Sequence, residues 1–449
     1  MLEGLKTEEN RVFFSKLAKF APPVIFAELL SALVNIMDTV MIGRAMGSAE
    51  ITAVALANQI FFVYVVIFWG IVGGCGVFIG QYFGKGEKEN IPKVVGLGLT
   101  GAMIVCALFF VPSFFFPHVL IGLFSQSEYV IELGAGYLRT LSFSYFFVAI
   151  TFTRNGCMRN TGQAKVPMIT TSVALILNFV LNYVFIFVLD APLYIIAVGT
   201  VIARGVELAL QQIFIVKLNI PIRGTFKQYF SYTWSFVKEF VKVTSFIFLG
   251  LVTWSVGTAI YNVAYAHAGY EAQASIKIAT SMLQLFQVFG ISLGVATQII
   301  MTQTLGSGDK RLAVAYSRKC FAFATSVSVI MTLLLMLFAP VIVWIFDPEP
   351  HIIHHVTMLT YVYALSMVLR TGNFVNLNGI LRSGGDTKFH FFVDLISVWA
   401  IGIPMAFLGV VFLGLPIYWA VLLVHADELF KFIVSIVRVR SNKWARQLV

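Results

Sequence analysis

The chain has 449 residues, 59% of them apolar and only 12% charged, with a mean hydropathy of +0.88. A soluble globular protein of this length needs far more polar surface, so that class is excluded and lipid becomes the solvent for most of the chain. The formal net charge of +10 would suit nucleic acid or an anionic surface, and the distribution of the charges decides between them.

Residues 1–19 (MLEGLKTEENRVFFSKLAK) are polar, and no short apolar core with a small-residue cleavage site follows. They predict a cytoplasmic segment and no removable signal peptide. Twelve apolar runs then follow, each about 20 residues or more, the length a membrane-spanning helix needs. They lie near 20–43, 55–81, 94–116, 129–152, 166–188, 193–216, 244–267, 273–303, 320–345, 355–377, 390–412 and 416–437. The predicted fold is therefore an all-α integral membrane protein of twelve transmembrane helices. With the amino terminus inside, 25 of the 31 Lys and Arg residues collect in inner segments, among them Lys6, Lys85, Lys165, Lys242, Lys310, Arg382 and Arg446. Arg44 alone falls in an outer loop. This is the positive-inside pattern, with both termini cytoplasmic. The net charge reports topology and excludes a nucleic-acid partner.

The helices repeat. QYFGKGEK (81–88) has a counterpart in QTLGSGDK (303–310), an offset of 222, which GSAEITAVALA (47–57) and GYEAQASIKIA (269–279) share. LFS (123–125) lies over IFD (345–347) at the same offset, and NGCMRNTGQAK (155–165) over NGILRSGGDTK (378–388) at 223. Six helices per half is an even number, so both halves enter from the same side as parallel repeats. The expected organisation is an amino-terminal lobe over 20–216, a cytoplasmic linker over 217–243, a carboxyl-terminal lobe over 244–437 and a tail over 438–449. Two lobes joined in this way suit a transporter. In GKGEK and GSGDK, glycine supplies a tight turn, and Glu87 and Asp309 sit near the next helix N-terminus as turn acids. Arg159 and Arg382, in the matching later turns, are expected to meet lipid phosphate or neighbouring carbonyls.

The series DTVMIGRAMGSAEITAVALA, GQYFGKGEK and RNTGQAKVP, with RSGGDTK in the second half, resembles the multidrug and toxic compound extrusion (MATE) family over nearly the whole chain. That resemblance implies an antiporter exporting bulky, often cationic and aromatic compounds, driven by protons or sodium. Lipid-intermediate flippases of the wider superfamily share the architecture, so fold alone leaves the substrate open.

Asp38 falls near the end of the first apolar run, where a carboxylate costs up to about 2.5–3.5 kcal/mol to insert. Loss of water favours its neutral form and so proton exchange; the structural alternative is an Asp bonded to a neighbouring helix. Asn178 and Asn182 are four apart on one face of the fifth helix, and Thr200 follows on the sixth. The resemblance implies that Asp38, Asn178, Asn182 and Thr200 form an ion-coupling group, with Asn182 where some members carry a second Asp. A single titrating carboxylate favours the proton, while the oxygen set keeps sodium open. Glu28, Asp394 and Glu428 are secondary candidates, and Asp427 accompanies Glu428. The seventh and tenth helices carry no acid, so sodium-driven members with a carboxyl-lobe acid cluster are poor guides.

Arg204 and Glu207, three apart, predict an internal ion pair. Arg139, Lys277 and Arg370 are expected to be paired or near an interface. His351, His354 and His355, flanked by Asp347 and Glu349, read as loop histidines rather than a zinc site. Three of the cysteines (Cys75, Cys106, Cys320) fall in apolar runs and Cys157 in a basic loop, which argues against a disulfide framework. Trp419 and Trp444 read as interface anchors; Met37 and Met282 are candidate cavity residues. No hydrolase, metalloprotease or phosphate-loop motif occurs. The chain is therefore expected to be no enzyme, to need no cofactor beyond a coupling H+ or Na+, and to use no ATP-binding subunit. Its expected partners are small cationic or amphipathic molecules and membrane lipids, and its expected location is the cytoplasmic membrane.

Overall fold

In the computed structural model, residues 8–346 and 348–449 are described. Lys6 and Asp347, and the side chains of Arg44 and Met282, lie outside that description. Every regular element among the described residues is helical. This is what lipid demands, because a helix satisfies its own backbone polar groups. Twelve segments result: α1 (Glu8–Ala45), α2 (Ser48–Lys85), α3 (Ile91–Phe115), α4 (Glu128–Ser142 and Ser144–Asn160), α5 (Lys165–Val188), α6 (Leu193–Lys217), α7 (Trp234–Ala266), α8 (Tyr270–Gly306), α9 (Lys310–Phe346), α10 (Ile353–Asn373 continued by Phe374–Leu381), α11 (Thr387–Phe412) and α12 (Ile417–Val424 and Ala426–Arg440). Among the described residues nine are long and apolar enough to cross a membrane, and the pair that makes α4, bent by 49°, is a tenth. The other two, α10 and α12, carry Arg370, Asn373, Asp427, Glu428 and Lys431, and these dilute the apolar signal.

The chain divides into two compact units, Phe26–Val241 and Lys242–Val449, the latter joined by the chain's start up to Ile25. The boundary in α1 follows Pro22 and Pro23, where two helical hydrogen bonds are missing. Within the carboxyl-terminal unit, Phe13 packs on the Tyr316 ring at 5.2 Å, and Glu9 takes the Lys319 ammonium at 2.6 Å. The segment after α6 folds onto the amino-terminal unit. A short helix, Phe226–Tyr229, is held by a Thr225–Gln228 capping box. It lies so close to α3 that a Cβ on Gly96 would stand 1.9 Å from the Tyr229 carbonyl.

The amino-terminal unit packs α2 against α3 and both halves of α4. The Tyr64 hydroxyl donates to the Tyr145 carbonyl at 2.6 Å, with the two rings stacked 4.5 Å apart. Cys157, expected in a loop, is buried in the second half of α4; the helix runs on to Asn160 before the basic turn begins. All four cysteines are free.

In the carboxyl-terminal unit, Leu283, Leu335, Leu359, Met367 and Val421 share one core. Trp444 belongs to this interior rather than to an interface belt. It is fully buried, its indole donates to the Val439 carbonyl at 3.1 Å, and a Cβ on Gly384 would meet its backbone oxygen. The tail therefore folds back over the turn before α11. Trp419 stays half exposed.

The internal repeat is visible in backbone detail. Gly86 and Gly308 turn with φ of 88° and 85°, and Asp309 accepts from the Leu312 amide at 2.8 Å at the start of α9. At a further offset of 224, Pro192 and Pro416 precede α6 and α12, and Asp190 and Gly414 both have positive φ, 46° and 57°. The Ala191 amide reaches the Phe185 carbonyl just as Leu415 reaches Gly409, both at 2.9 Å. The offset grows from 222 to 224 across the chain. A π-helical turn holds one residue more than the α-turn it replaces. The carboxyl-terminal unit has such turns at Phe374–Leu381 and Ile396–Gly402, where the two extra residues enter.

Candidate ion-coupling site

Asp38 sits partly buried on α1, and the Asn182 amide on α5 donates to its Oδ1 at 3.1 Å. The same Asn182 nitrogen lies 3.5 Å from Asn178 Oδ1, one turn earlier, and the Asn178 amide donates to Thr200 Oγ1 on α6 at 3.1 Å. All four residues anticipated from the sequence thus lie in one hydrogen-bonded chain within the amino-terminal unit. Asn182 is 5% exposed, and its Oδ1 is buried without a hydrogen-bond partner among the described residues. It reaches this depth because α6 offers Gly199, whose Cβ would stand 3.0 Å from that oxygen. Among the described residues no Lys, Arg or His pairs with Asp38, and its hydrogen-bond partner is an amide.

Arg204 and Arg159 are engaged elsewhere. Glu207 is 1% exposed, takes the Arg204 guanidinium at 2.7 Å and accepts from Thr171 at 2.8 Å and Asn155 at 3.4 Å. Gln211 donates to Asn155 Oδ1 at 2.8 Å. The i,i+3 spacing revealed the Arg204–Glu207 pair. Asn155, Thr171 and Gln211 come from other turns and helices, so no sequence spacing linked them to it. Glu28 does not join the Asp38 group; its carboxylate faces Arg159 Nη2 at 3.8 Å. Arg159 thus meets a carboxylate rather than lipid phosphate or a carbonyl, whereas Arg382 donates to the side-chain carbonyl oxygen of Asn378, a neighbouring carbonyl as expected.

Asp394 and Glu428 belong to a second constellation, in the carboxyl-terminal unit. His390 Nε2 lies 3.1 Å from Asp394 Oδ2, and Lys431 Nζ stands 3.8 Å from Asp394 Oδ1 and 4.0 Å from Glu428 Oε1. The Asn373 amide donates to Glu428 Oε2 at 2.8 Å. Asp427 accepts from the Tyr261 hydroxyl at 2.9 Å, and Arg370 reaches His425 at 3.3 Å. The absence of acids from the predicted seventh and tenth spans, 244–267 and 355–377, concealed this cluster: its acids ride on α11 and α12, and α7 and α10 contribute Tyr261, Arg370 and Asn373. Arg139 donates to the Phe114 carbonyl, and Lys277 is exposed. His351 meets Glu271 and Glu349, and among the described residues no group of three or more His, Cys, Asp or Glu gathers for a metal.

The comparisons with known proteins agree with this architecture. The family model MatE matches residues 23–184 and again 247–408, one match per unit. An uncharacterized transporter, YisQ of Bacillus subtilis, is 25% identical over 99% of this chain and 97% of its own length. A probable multidrug resistance protein, NorM of Thermotoga maritima, is 26% identical over 99% and 96%. A crystal structure described as MATE in the bent conformation superposes with a TM-score of 0.86 at 18% identity, covering 97% of this chain and 98% of that one. A multi-pass membrane fold of two parallel halves, with its polar groups gathered inside each half, is thus matched in sequence twice over: the chain belongs to the MatE (MATE) family, a family of transporters and not of enzymes.

Proposed function

We propose that the chain is a cation-coupled antiporter that exports bulky, often cationic and aromatic compounds by alternating access of its two lobes, with Asp38 as the coupling residue. The observation that carries this reading is the hydrogen-bonded chain from Asp38 through Asn182 and Asn178 to Thr200, which ties α1, α5 and α6 together. Support for the substrate class comes from relatives such as the probable multidrug resistance protein NorM.

The chain has two arrangements. When Asp38 is ionised, it accepts from the Asn182 amide. When it is protonated, its hydroxyl becomes a donor, and the buried, unpartnered Asn182 Oδ1 is the acceptor that suits it. Turning the Asn182 amide to receive it breaks the contacts to Asp38 Oδ1 and Asn178. Protonation thus loosens one link between α1 and α5 and makes another, a two-state element that an ion can bias. Sodium would act on the same oxygens. One charge crossing 100 mV supplies about 2.3 kcal/mol, enough to shift such an equilibrium by more than tenfold. The coupling ion is cargo, and no resident cofactor or ATP-binding subunit is needed. Both termini face the cytoplasm, and the protein resides in the cytoplasmic membrane. A surface cavity of about 670 Å³ lined by Lys310, Arg311 and Arg318 suits anionic lipid headgroups there.

The test is dye-cation transport by purified wild type and Asp38→Asn in proteoliposomes, under proton and sodium gradients imposed separately. One gradient should drive the wild type, and the folded variant should lose coupled transport while still binding dye. Full coupled transport by the variant overturns the role of Asp38. Headgroup-dependent lipid movement without dye flux would overturn the drug reading in favour of a flippase.

A further inference from the structure

The polar hubs of the two units occupy the same positions in the repeat with their charges exchanged. At the offset of 224 that relates α6 to α12, Arg204 corresponds to Glu428 and Glu207 to Lys431; at 223, before the π turn of α11, Thr171 corresponds to Asp394. In the amino-terminal unit the buried acid is tightly held, at 2.7 Å by Arg204 and 2.8 Å by Thr171. In the carboxyl-terminal unit a buried ammonium stands at that position. It is held only loosely, at 3.8 and 4.0 Å from its two carboxylates, distances beyond a direct hydrogen bond.

The groups that face Lys431 most closely are oxygens, while His390 holds the other oxygen of Asp394 and the Arg370 and Arg382 guanidiniums act on the cluster from farther out. Asp394 Oδ1 and Glu428 Oε1 face it, and the Asn373 amide that donates to Glu428 leaves its own Oδ1 buried and unpartnered, on a residue 5% exposed. Gly250 on α7 leaves room beside Asp394: a Cβ there would stand 3.4 Å from its carboxylate. The two inserted π turns flank the cluster on α10 and α11, and such turns recur at functional sites. Hard cations take oxygen ligands, and two buried carboxylates that lose the ammonium between them keep only the more distant Arg370, Arg382 and the imidazole of His390 to offset their repulsion.

We infer that the Lys431 ammonium is the resident cation of the carboxyl-terminal unit, filling between Asp394 and Glu428 a site that an exchangeable monovalent cation would otherwise take. The tethered charge leaves that unit without a mobile ion and confines ion exchange to the amino-terminal unit. This last consequence rests on the Asp38 reading above; the site itself does not.

The test removes the tether. Lys431→Ala, purified in an Asp38→Asn background so that the amino-terminal site cannot contribute, is melted in sodium chloride and in choline chloride at equal ionic strength. A melting temperature that rises with sodium concentration in Lys431→Ala, not in the Asp38→Asn parent, and that is abolished by adding Asp394→Asn, is the expected result. Should Lys431→Ala fail to fold in choline, recovery of monodisperse protein in sodium alone supports the site equally. Indifference to sodium in a folded Lys431→Ala, or equal loss of protein in both salts, overturns the inference. So does a sodium response of the parent that Asp394→Asn removes. Because transport is not read, failure here leaves the proteoliposome test of Asp38 intact.

Discussion

Replacing Glu207 by alanine tests whether the buried hub of the amino-terminal unit is held by charge or by ordinary packing. The side chain is 1% exposed and satisfies three donors, Arg204 at 2.7 Å, Thr171 at 2.8 Å and Asn155 at 3.4 Å. Alanine strands Arg204 and Thr171 and leaves the Asn155 amide only the Thr171 hydroxyl, at 3.4 Å. Removing one partner of a buried ion pair costs about 3–5 kcal/mol. One effect pulls the value down. Interhelical polar contacts in membranes average only about 0.6 kcal/mol, because the chain in the bilayer finds other partners. The low end, about 3 kcal/mol, is therefore expected for Glu207→Ala. Glu207→Gln keeps an acceptor for Thr171 and should lose about half of that, the share carried by charge in bonds worth about 1.5–3 kcal/mol. In the double variant Arg204→Ala/Glu207→Ala the stranded cation is gone, so the loss should fall well short of the sum of the singles. Equilibrium unfolding in detergent micelles measures five proteins: the wild type, the two single alanine variants, Glu207→Gln and the double variant. A Glu207→Ala loss near 0.6 kcal/mol, the size of one neutral interhelical bond, or strict additivity in the cycle, would refute the argument from charge.

Two further substitutions probe the backbone that sets up the fold. Gly402→Ala puts a Cβ 1.9 Å from the Tyr261 hydroxyl, so it should overpack α11 against α7 at about 1–3 kcal/mol and detach Tyr261 from Asp427. Tyr261→Phe should cost only the hydrogen bond, about 1 kcal/mol, and unfolding of both variants ranks them. Gly86→Ala and Gly308→Ala meet no atom within 4 Å, so each should cost only the left-handed backbone, about 1–2 kcal/mol. The two sites lie in different units, so the double variant should show the sum within about 0.5 kcal/mol.

The parts of this fold that the sequence reveals are those set by one-dimensional rules. Span length, the inner placement of Lys and Arg, and the glycine turns at 86 and 308 need no knowledge of neighbours. The Arg204–Glu207 pair and the Asn178–Asn182 face follow from helical spacing alone. Asp38, Asn182 and Thr200 come from three helices, and only the family resemblance brought them together; the hydrogen bonds then supply the geometry. The carboxyl-terminal cluster lacked both aids. His390 and Asp394 are four apart, but α11 turns π-helical immediately after them, so the 3.6-residue period no longer says which later residues share their face. Lys431 meets Asp394 only through the packing of α12. Trp444 was misjudged for a related reason: its position after the last span suggested an interface, while the contact of the tail with Gly384 is a tertiary fact.

The two π turns link these observations. Each adds one residue to a helix of the carboxyl-terminal unit that its amino-terminal counterpart lacks, and each rotates the residues beyond it by about 100°, one residue of α-helix. In the amino-terminal unit α5 stays α-helical from Lys165 to Tyr183, its π turn coming only afterwards at Val184–Val188, and it points Asn178 and Asn182 at Asp38 and Thr200, leaving a carboxyl group paired with an amide. In the carboxyl-terminal unit Gly402 corresponds to Asn178 at the offset of 224, and the space left by the missing side chain admits the Tyr261 hydroxyl, which is thereby aimed at Asp427. One insertion in α11 separates Asp394, before it, from Gly402, at its end, and so allows the same helix to serve a Lys-centred hub and a Tyr–Asp bond. A duplicated scaffold can thus keep its topology while its halves diverge in chemistry: among the described residues the first sets the Asp38 carboxyl against the Asn182 amide, and the second sets the Lys431 ammonium between two carboxylates.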